Sequence, residues 1–126
     1  MTSLQHPDPS TLENTVPRGM VHRAAVSEVF LTGAQRVGDG HFRCLAQLPR
    51  THSYFSEHTH RDAHYDTLLL LEVFRQASIY VSHAFLEVSA NDKFIYLDSD
   101  TYIVEREALA VGVRPASALI EVRVVD

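Results

Sequence analysis

Three polar residues at helical spacing, Glu72, Arg75 and Gln76, lie inside the most apolar stretch of the sequence, residues 66–83. At 3.6 residues per turn, offsets of three and four place their side chains on one face of a helix. A helix this apolar is usually buried, and a buried charge is costly unless it is paired or used. The spacing alone favours a structural ion pair. A carboxylate in apolar surroundings can also act as a general base, so both readings stay open.

The histidines carry a weaker signal. His58, His60 and His64 have a spacing that could suit metal ligands, but they lie in a polar segment with no cysteine nearby and no HExxH pattern. We therefore predict no metal site. His83 lies about 16 Å along the helix from Glu72, at 1.5 Å per residue, which is too far for direct proton relay. We expect His83 to be a hydrogen-bonded interior residue.

Cys44 is the single cysteine, so no internal disulfide can form, and we expect it to pack as a small hydrophobic residue. The sequence contains no P-loop, no GxSxG and no GxGxxG motif. Those absences argue against nucleotide triphosphatases, serine hydrolases and dinucleotide enzymes. We predict no cofactor.

Composition sets the remaining bounds. The chain has 126 residues and a formal net charge of -5, without a basic patch, which argues against nucleic-acid binding. The longest apolar run, residues 68–71, is far too short to span a membrane. No secretory signal precedes it, so we expect a cytoplasmic protein. Residues 1–20 are polar and contain prolines, which predicts a flexible leader before one domain over residues 21–126.

The elements before the helix are predicted to be two strands and a loop. Residues 24–32 are rich in β-formers and precede a turn at Gly33, and Gly38-Asp39-Gly40 is a second turn signal. Apolar residues then alternate over residues 42–48 until Pro49 ends that strand. The polar stretch 50–65 is a predicted loop. Asp66 or Thr67 can cap the helix, which we expect to cover about residues 67–85.

After the helix we predict a strand over residues 94–104, a loop over 112–117 and a final strand over 120–124. The order is strand, strand, helix, strand, strand, which indicates an α+β class. An antiparallel sheet wrapped around one long central helix is the hotdog fold. Such a sheet usually has at least one more strand, so we expect a partner or further sequence to complete it.

Three blocks of sequence, residues 15–33, 47–55 and 65–83, occur in an order that resembles the A-factor biosynthesis hotdog family. Its members are bacterial γ-butyrolactone autoregulator synthases. The specific part of the likeness is the helix motif E-x-x-R-Q behind a run of leucines. The resemblance implies an acyltransferase that joins a β-ketoacyl group, carried on acyl carrier protein, to the hydroxyl of dihydroxyacetone phosphate. The ester then cyclises to a butenolide phosphate, a precursor of signalling lactones.

The resemblance implies catalytic roles for Glu72, Arg75 and Gln76. Glu72 would accept the proton of the attacking hydroxyl. Gln76 would polarise the thioester carbonyl, and Arg75 would hold Glu72 or meet the substrate phosphate.

We also predict substrate-binding roles for Arg50, His52 and Asp66, with His52 in a loop at the mouth of the pocket. The family typically carries two hotdog repeats, and this sequence contains one, so we expect a homodimer or a second hotdog domain as partner. Two alternatives stay open. One is a hotdog thioesterase or dehydratase that uses Glu72, and the other is a non-catalytic half-domain for acyl binding or dimerisation.

Overall fold

The computed structural model describes residues 12–50 and 64–125. Its elements are one long helix, α1 (Thr67–Phe85), and three strands, β1 (Leu31–Gly38), β2 (His41–Leu48) and β3 (Ala116–Arg123). The strands form one antiparallel sheet in the order β1-β2-β3. Short 3-10 turns occur at Arg18–Val21, Val26–Glu28 and Arg106–Leu109. A helix packed with an antiparallel sheet confirms the predicted α+β class.

The hairpin between β1 and β2 follows the predicted turn. Gly38 pairs with His41 across the antiparallel ladder. Gly40 has a φ of 63°, in the left-handed region that glycine enters without a steric penalty. The predicted turn at residues 38–40 is therefore confirmed.

The core lies between the sheet and one face of α1. The alternation predicted for the second strand is present, because Phe42, Cys44, Ala46 and Leu48 are all buried. Leu69, Val73, Gln76, Ala77, Tyr80 and Val81 form the buried face of α1. Burial of each large apolar side chain contributes roughly 1.5–3 kcal/mol. The apolar face of β2, with its period of two residues, thus packs with the apolar face of α1, with its period of 3.6, in one core.

The helix bounds agree with the sequence. Asp66 is the N-cap, and its side chain accepts a hydrogen bond of 2.9 Å from the backbone N–H of Leu68. That bond satisfies one of the donors that a helix start leaves without an intrahelical partner.

The first predicted strand is wrong over most of its length. Residues 26–28 form a 3-10 turn, and β1 begins at Leu31. Gly33 lies inside β1, next to an irregularity in its register, instead of ending the strand. The reason is that the N–H of Phe30 donates to the side chain of Gln76, while its carbonyl oxygen accepts from the N–H of Gln47 in β2. Propensity alone could not predict that competing partner.

The strand predicted over residues 94–104 is also wrong. No strand among residues 12–50 and 64–125 pairs with this segment, and its apolar side chains are exposed, with Ile95 at 84% and Val104 at 96%. A strand requires a partner for its backbone groups. The position next to β2 is filled instead by β3, which begins at Ala116 and so includes part of the predicted 112–117 loop.

The described end of the predicted leader packs on the domain. Val16 is buried, and its N–H donates to the carbonyl oxygen of Leu31 at 2.9 Å. Residues 1–11 lie outside the described part of the chain. Within the part that is described, no helix combines the length and the hydrophobicity needed to cross a membrane.

Cys44 provides a test of the core. Burial raises the pKa of its thiol to about 12, so at about pH 8 the folded protein holds a protonated, enclosed sulfur. We expect iodoacetamide to label Cys44 at least tenfold more slowly in the folded protein than in denaturing urea, as measured by mass spectrometry. Equal rates in both conditions would contradict the packing described here.

Candidate active site

The face of α1 that points away from the sheet lines a large cleft. This α1 cleft has a volume of about 1110 Å³, and its other wall is the segment of residues 94–102. Most of its lining is apolar, from side chains such as Leu68, Leu71 and Phe74 on the helix and Ile95 and Leu97 on the segment. Glu72 and Arg75 are the charged side chains that the helix contributes. The 94–102 segment also contributes Asp98 and Asp100, so the cleft combines mostly apolar walls with charged groups on both sides.

Glu72 is the centre of a hydrogen-bonded cluster. Arg23 donates from Nε to Oε2 at 3.0 Å and from Nη2 to Oε1, a bidentate pair. Arg75 donates from Nη1 to Oε2 at 3.3 Å, and Gln76 donates from Nε2 to the same oxygen at 2.8 Å. The Glu72 side chain is 10% exposed, whereas that of Arg75 is 42% exposed. The ion pair expected from the i,i+3 spacing is present, and a second arginine strengthens it.

Gln76 is fully buried, and its amide is used completely. Its Oε1 accepts from the N–H of Phe30 at 3.0 Å and of Leu31 at 3.4 Å. Its Nε2 donates to the carbonyl oxygen of Glu28 at 2.7 Å and to Glu72. An amide offers two donor hydrogens and two acceptor lone pairs. No hydrogen-bonding capacity is left on Gln76 for a thioester carbonyl.

Arg23 is the member of this cluster that sequence reasoning missed. It lies 49 residues from Glu72, so no periodicity links the two. The hydrogen bond to Glu72 raises the pKa of Arg23. The general signal was a carboxylate on a helix predicted to be buried, which requires a paired charge, although nothing in the sequence identified Arg23 as a partner.

A pair of histidines lies at the edge of the α1 cleft. His83 Nδ1 is 2.9 Å from the carbonyl oxygen of Val88, and its Nε2 is 2.8 Å from Nε2 of His22. The ring of Phe94 packs edge-on against both imidazoles, at centroid distances of 5.4 and 5.3 Å. His83 is thus hydrogen-bonded, as expected, while His22 was not singled out by the sequence. Burial lowers the pKa of His22, and the nearby His83 and Arg75 lower it further.

The predicted substrate-binding residues do not gather around Glu72. Arg50 donates from Nε to the carbonyl oxygen of Gly112 at 2.9 Å and lines a separate cavity of about 410 Å³. Asp66 caps α1. His52 lies outside the described residues, as do His58 and His60.

The structure describes His64, the last of the three histidines considered as metal ligands. It pairs with Ala110 through an isolated β-bridge, and its Nε2 lies 3.8 Å from the Glu107 carboxylate. Across residues 12–50 and 64–125, no group of three or more His, Cys, Asp or Glu side chains could hold a metal ion.

Substitution of Gln76 tests its role as a buried connector. Gln76→Leu keeps the size but removes the hydrogen bonds that the Gln76 amide makes with the Phe30 N–H and the Glu28 carbonyl, which should lower the free energy of unfolding by about 2–4 kcal/mol. Gln35→Leu makes the same change at an exposed position of β1 and should alter it by less than about 0.5 kcal/mol. Denaturant titration of both variants provides the measurement. Equal free energies of unfolding for the two variants would contradict the role of Gln76 as a connector.

Comparison with known proteins agrees with the resemblance seen in the sequence. The model of the A-factor biosynthesis hotdog domain matches residues 4–125. A 2-oxo-3-(phosphooxy)propyl 3-oxoalkanoate synthase of Streptomyces virginiae is 44% identical over 111 residues, which cover 88% of this chain and 36% of that protein.

Proteins with the same name from two further species are more distant. The Streptomyces coelicolor protein is 33% identical over 118 residues, 91% of this chain and 37% of its own length. The Streptomyces griseus protein is 33% identical over 103 residues, 82% of this chain and 33% of its own length. The chain therefore spans about a third of the length of these relatives. No solved structure matches it. On the strength of the match over residues 4–125, the chain belongs to the A-factor biosynthesis hotdog domain family, which also confirms the hotdog class expected from its sequence.

Proposed function

We propose that the α1 cleft is a site of acyl transfer, in which a β-ketoacyl group passes from acyl carrier protein to the hydroxyl of dihydroxyacetone phosphate. The relatives' name describes that product, since a 2-oxo-3-(phosphooxy)propyl 3-oxoalkanoate is the ester of this phosphate with a 3-oxo acid. The observation that carries the proposal is a pair of arginines around one carboxylate beside an apolar cleft.

The apolar wall suits the acyl chain. Leu68 and Phe74 are both about half exposed on α1, and the 94–102 segment faces them across the cleft. Apolar surface left open beside a few polar groups is the usual composition of a small-molecule site. An acyl chain that lies along this wall would remove both surfaces from water.

The charged end suits the phosphate. Arg23 and Arg75 carry two positive charges against the single negative charge of Glu72, so the cluster keeps one formal positive charge. Guanidinium groups bind phosphate oxygens through paired hydrogen bonds. Arg75 is the more exposed of the two and lines the cleft, which makes it the better candidate for phosphate contact.

The geometry favours a positioning role for Glu72 over the proton-accepting role proposed from the sequence. Its carboxylate accepts four hydrogen bonds, from Arg23 twice and from Arg75 and Gln76 once each. Three of these bonds are to Oε2 and one is to Oε1, so each oxygen of the carboxylate is engaged by an arginine. We therefore propose that Glu72 and Gln76 hold the arginines in place and do not contact the reacting atoms.

The proposal includes a second hotdog domain, supplied by another copy of this chain or by further sequence. Two features support it: the apolar segment 94–104 is exposed, and the chain spans about a third of its relatives' length. Acyl carrier protein would deliver the substrate, and the cytoplasmic location expected from the sequence remains part of the proposal.

The direct test incubates the protein with β-ketoacyl carrier protein, with and without dihydroxyacetone phosphate, and detects products by mass spectrometry. We expect the phosphate ester, formed only when the phosphate is present. Release of free acid regardless of the phosphate would indicate a thioesterase instead. No turnover of the thioester under either condition would contradict acyl transfer by this chain.

Glu72→Gln separates the two roles of the carboxylate. Because the amide no longer pairs with both arginines, we expect the KM for dihydroxyacetone phosphate to rise roughly tenfold while kcat changes less than about threefold. Glu121→Gln is the matched control, since Glu121 pairs with Arg43 on the exposed face of the sheet. A loss confined to kcat would return Glu72 to the proton-accepting role.

A further inference from the structure

The histidine pair supplies a proton acceptor, which the proposed reaction requires and which the Glu72 cluster does not supply. Transfer of an acyl group to a hydroxyl needs an acceptor for the hydroxyl proton. Both oxygens of the Glu72 carboxylate already accept hydrogen bonds from arginines, whereas His22 lines the same cleft as Glu72 and Arg75. Whether His22 can accept a proton depends on which of its two ring nitrogens carries the hydrogen.

The hydrogen bonds assign the tautomers of both rings. The Val88 carbonyl oxygen can only accept, so His83 Nδ1 carries the hydrogen of that bond. When His83 is neutral, its Nε2 therefore has a lone pair and no hydrogen. The hydrogen between the two rings must then lie on His22 Nε2. This leaves His22 Nδ1 unprotonated. Within residues 12–50 and 64–125, His22 Nδ1 has no hydrogen-bond partner.

The surroundings favour the neutral state of His22. Burial lowers the pKa of His22 most, and His83 and Arg75, both on α1, lower it further. The other wall places the uncharged ring of Phe94 against His22, and the titratable side chains on that wall of the cleft are Tyr96, Asp98, Asp100 and Tyr102. A basic lone pair is therefore available at neutral pH.

We propose that His22 is the catalytic base of this site, with Nδ1 as the proton acceptor and His83 as the positioning residue that fixes its tautomer. The inference rests on the proposed acyl transfer. The substrate hydroxyl oxygen attacks the thioester carbonyl carbon, a C–O bond forms, and the proton moves to Nδ1. The tetrahedral intermediate then collapses, the C–S bond breaks, and the His22 imidazolium returns the proton to the leaving thiolate. Ester and thiol are the products.

The backbone at His22 determines which substitutions are informative. Its φ of 55° and ψ of 47° lie in the left-handed region, at the end of the Arg18–Val21 turn. Glycine and asparagine tolerate that conformation better than other residues. His22→Gly and His22→Asn thus remove the imidazole without adding backbone strain.

Steady-state kinetics of these variants test the proposal. We expect kcat to fall by about 100-fold or more in both, because general-base catalysis is typically worth that much, while the KM for dihydroxyacetone phosphate stays within about threefold. Added imidazole should restore part of the activity of His22→Gly. His41→Asn, at a histidine that pairs with Glu121 on the sheet, is the control and should keep its activity. Unchanged activity in His22→Gly, or a loss that imidazole does not restore, would overturn the base assignment.

His83→Asn tests the positioning role. Since His83 lowers the pKa of His22, its removal should move the acidic limb of the kcat profile to higher pH. A purely structural histidine would lower activity equally at every pH, and that outcome would overturn the role.

Nuclear magnetic resonance separates this inference from the proposed function. Long-range proton–nitrogen spectra of the wild-type chain should show His22 protonated at Nε2 and His83 at Nδ1. If the wild-type chain shows these tautomers but makes no ester, the proposed function fails and the tautomer assignment stands. A His22 protonated at Nδ1 would overturn the inference whatever the activity.

Discussion

The buried amide of Gln76 is the constraint on which the rest of the site depends. It binds three backbone groups of residues 28–31 and one oxygen of Glu72, so it fixes the helix against the chain that leads into β1. A buried amide with any group unmatched would destabilise the fold. Because the Gln76 amide makes all four of its hydrogen bonds, it fixes the position of the Glu72 carboxylate beside it. The carboxylate in turn sets the positions of Arg23 and Arg75.

Local patterns predicted the parts of the fold that depend on local physics. The helix bounds follow from a capping aspartate and a helical period, and β2 follows from strict alternation over residues 42–48. The two failures have a common cause, because a strand is defined by its partner. The carbonyl oxygen of Glu28 and the N–H of Phe30 bind the Gln76 side chain, and residues 94–104 have no strand beside them in the described structure.

The candidate site was predictable only where its residues share an element. Glu72, Arg75 and Gln76 are neighbours on α1, so spacing found them. Their roles were harder to predict from the sequence, since the groups that fill the hydrogen-bonding capacity of Gln76 lie more than 40 residues away. Arg23 and His22 come from the segment before β1, at separations of 49 and 61 residues from their partners. Only the fold brings these groups to one cleft.

The exposed segment 94–104 has a thermodynamic consequence for any association of this chain. Its aliphatic and aromatic side chains, among them Ile95, Leu97 and Tyr102, stand in water in the described structure. Transfer of such surface into an interface is driven mainly by entropy near room temperature and lowers the heat capacity. A complex formed through this segment would therefore weaken on cooling. Preparations kept cold would then favour the separated chain, with the outer wall of its cleft uncovered.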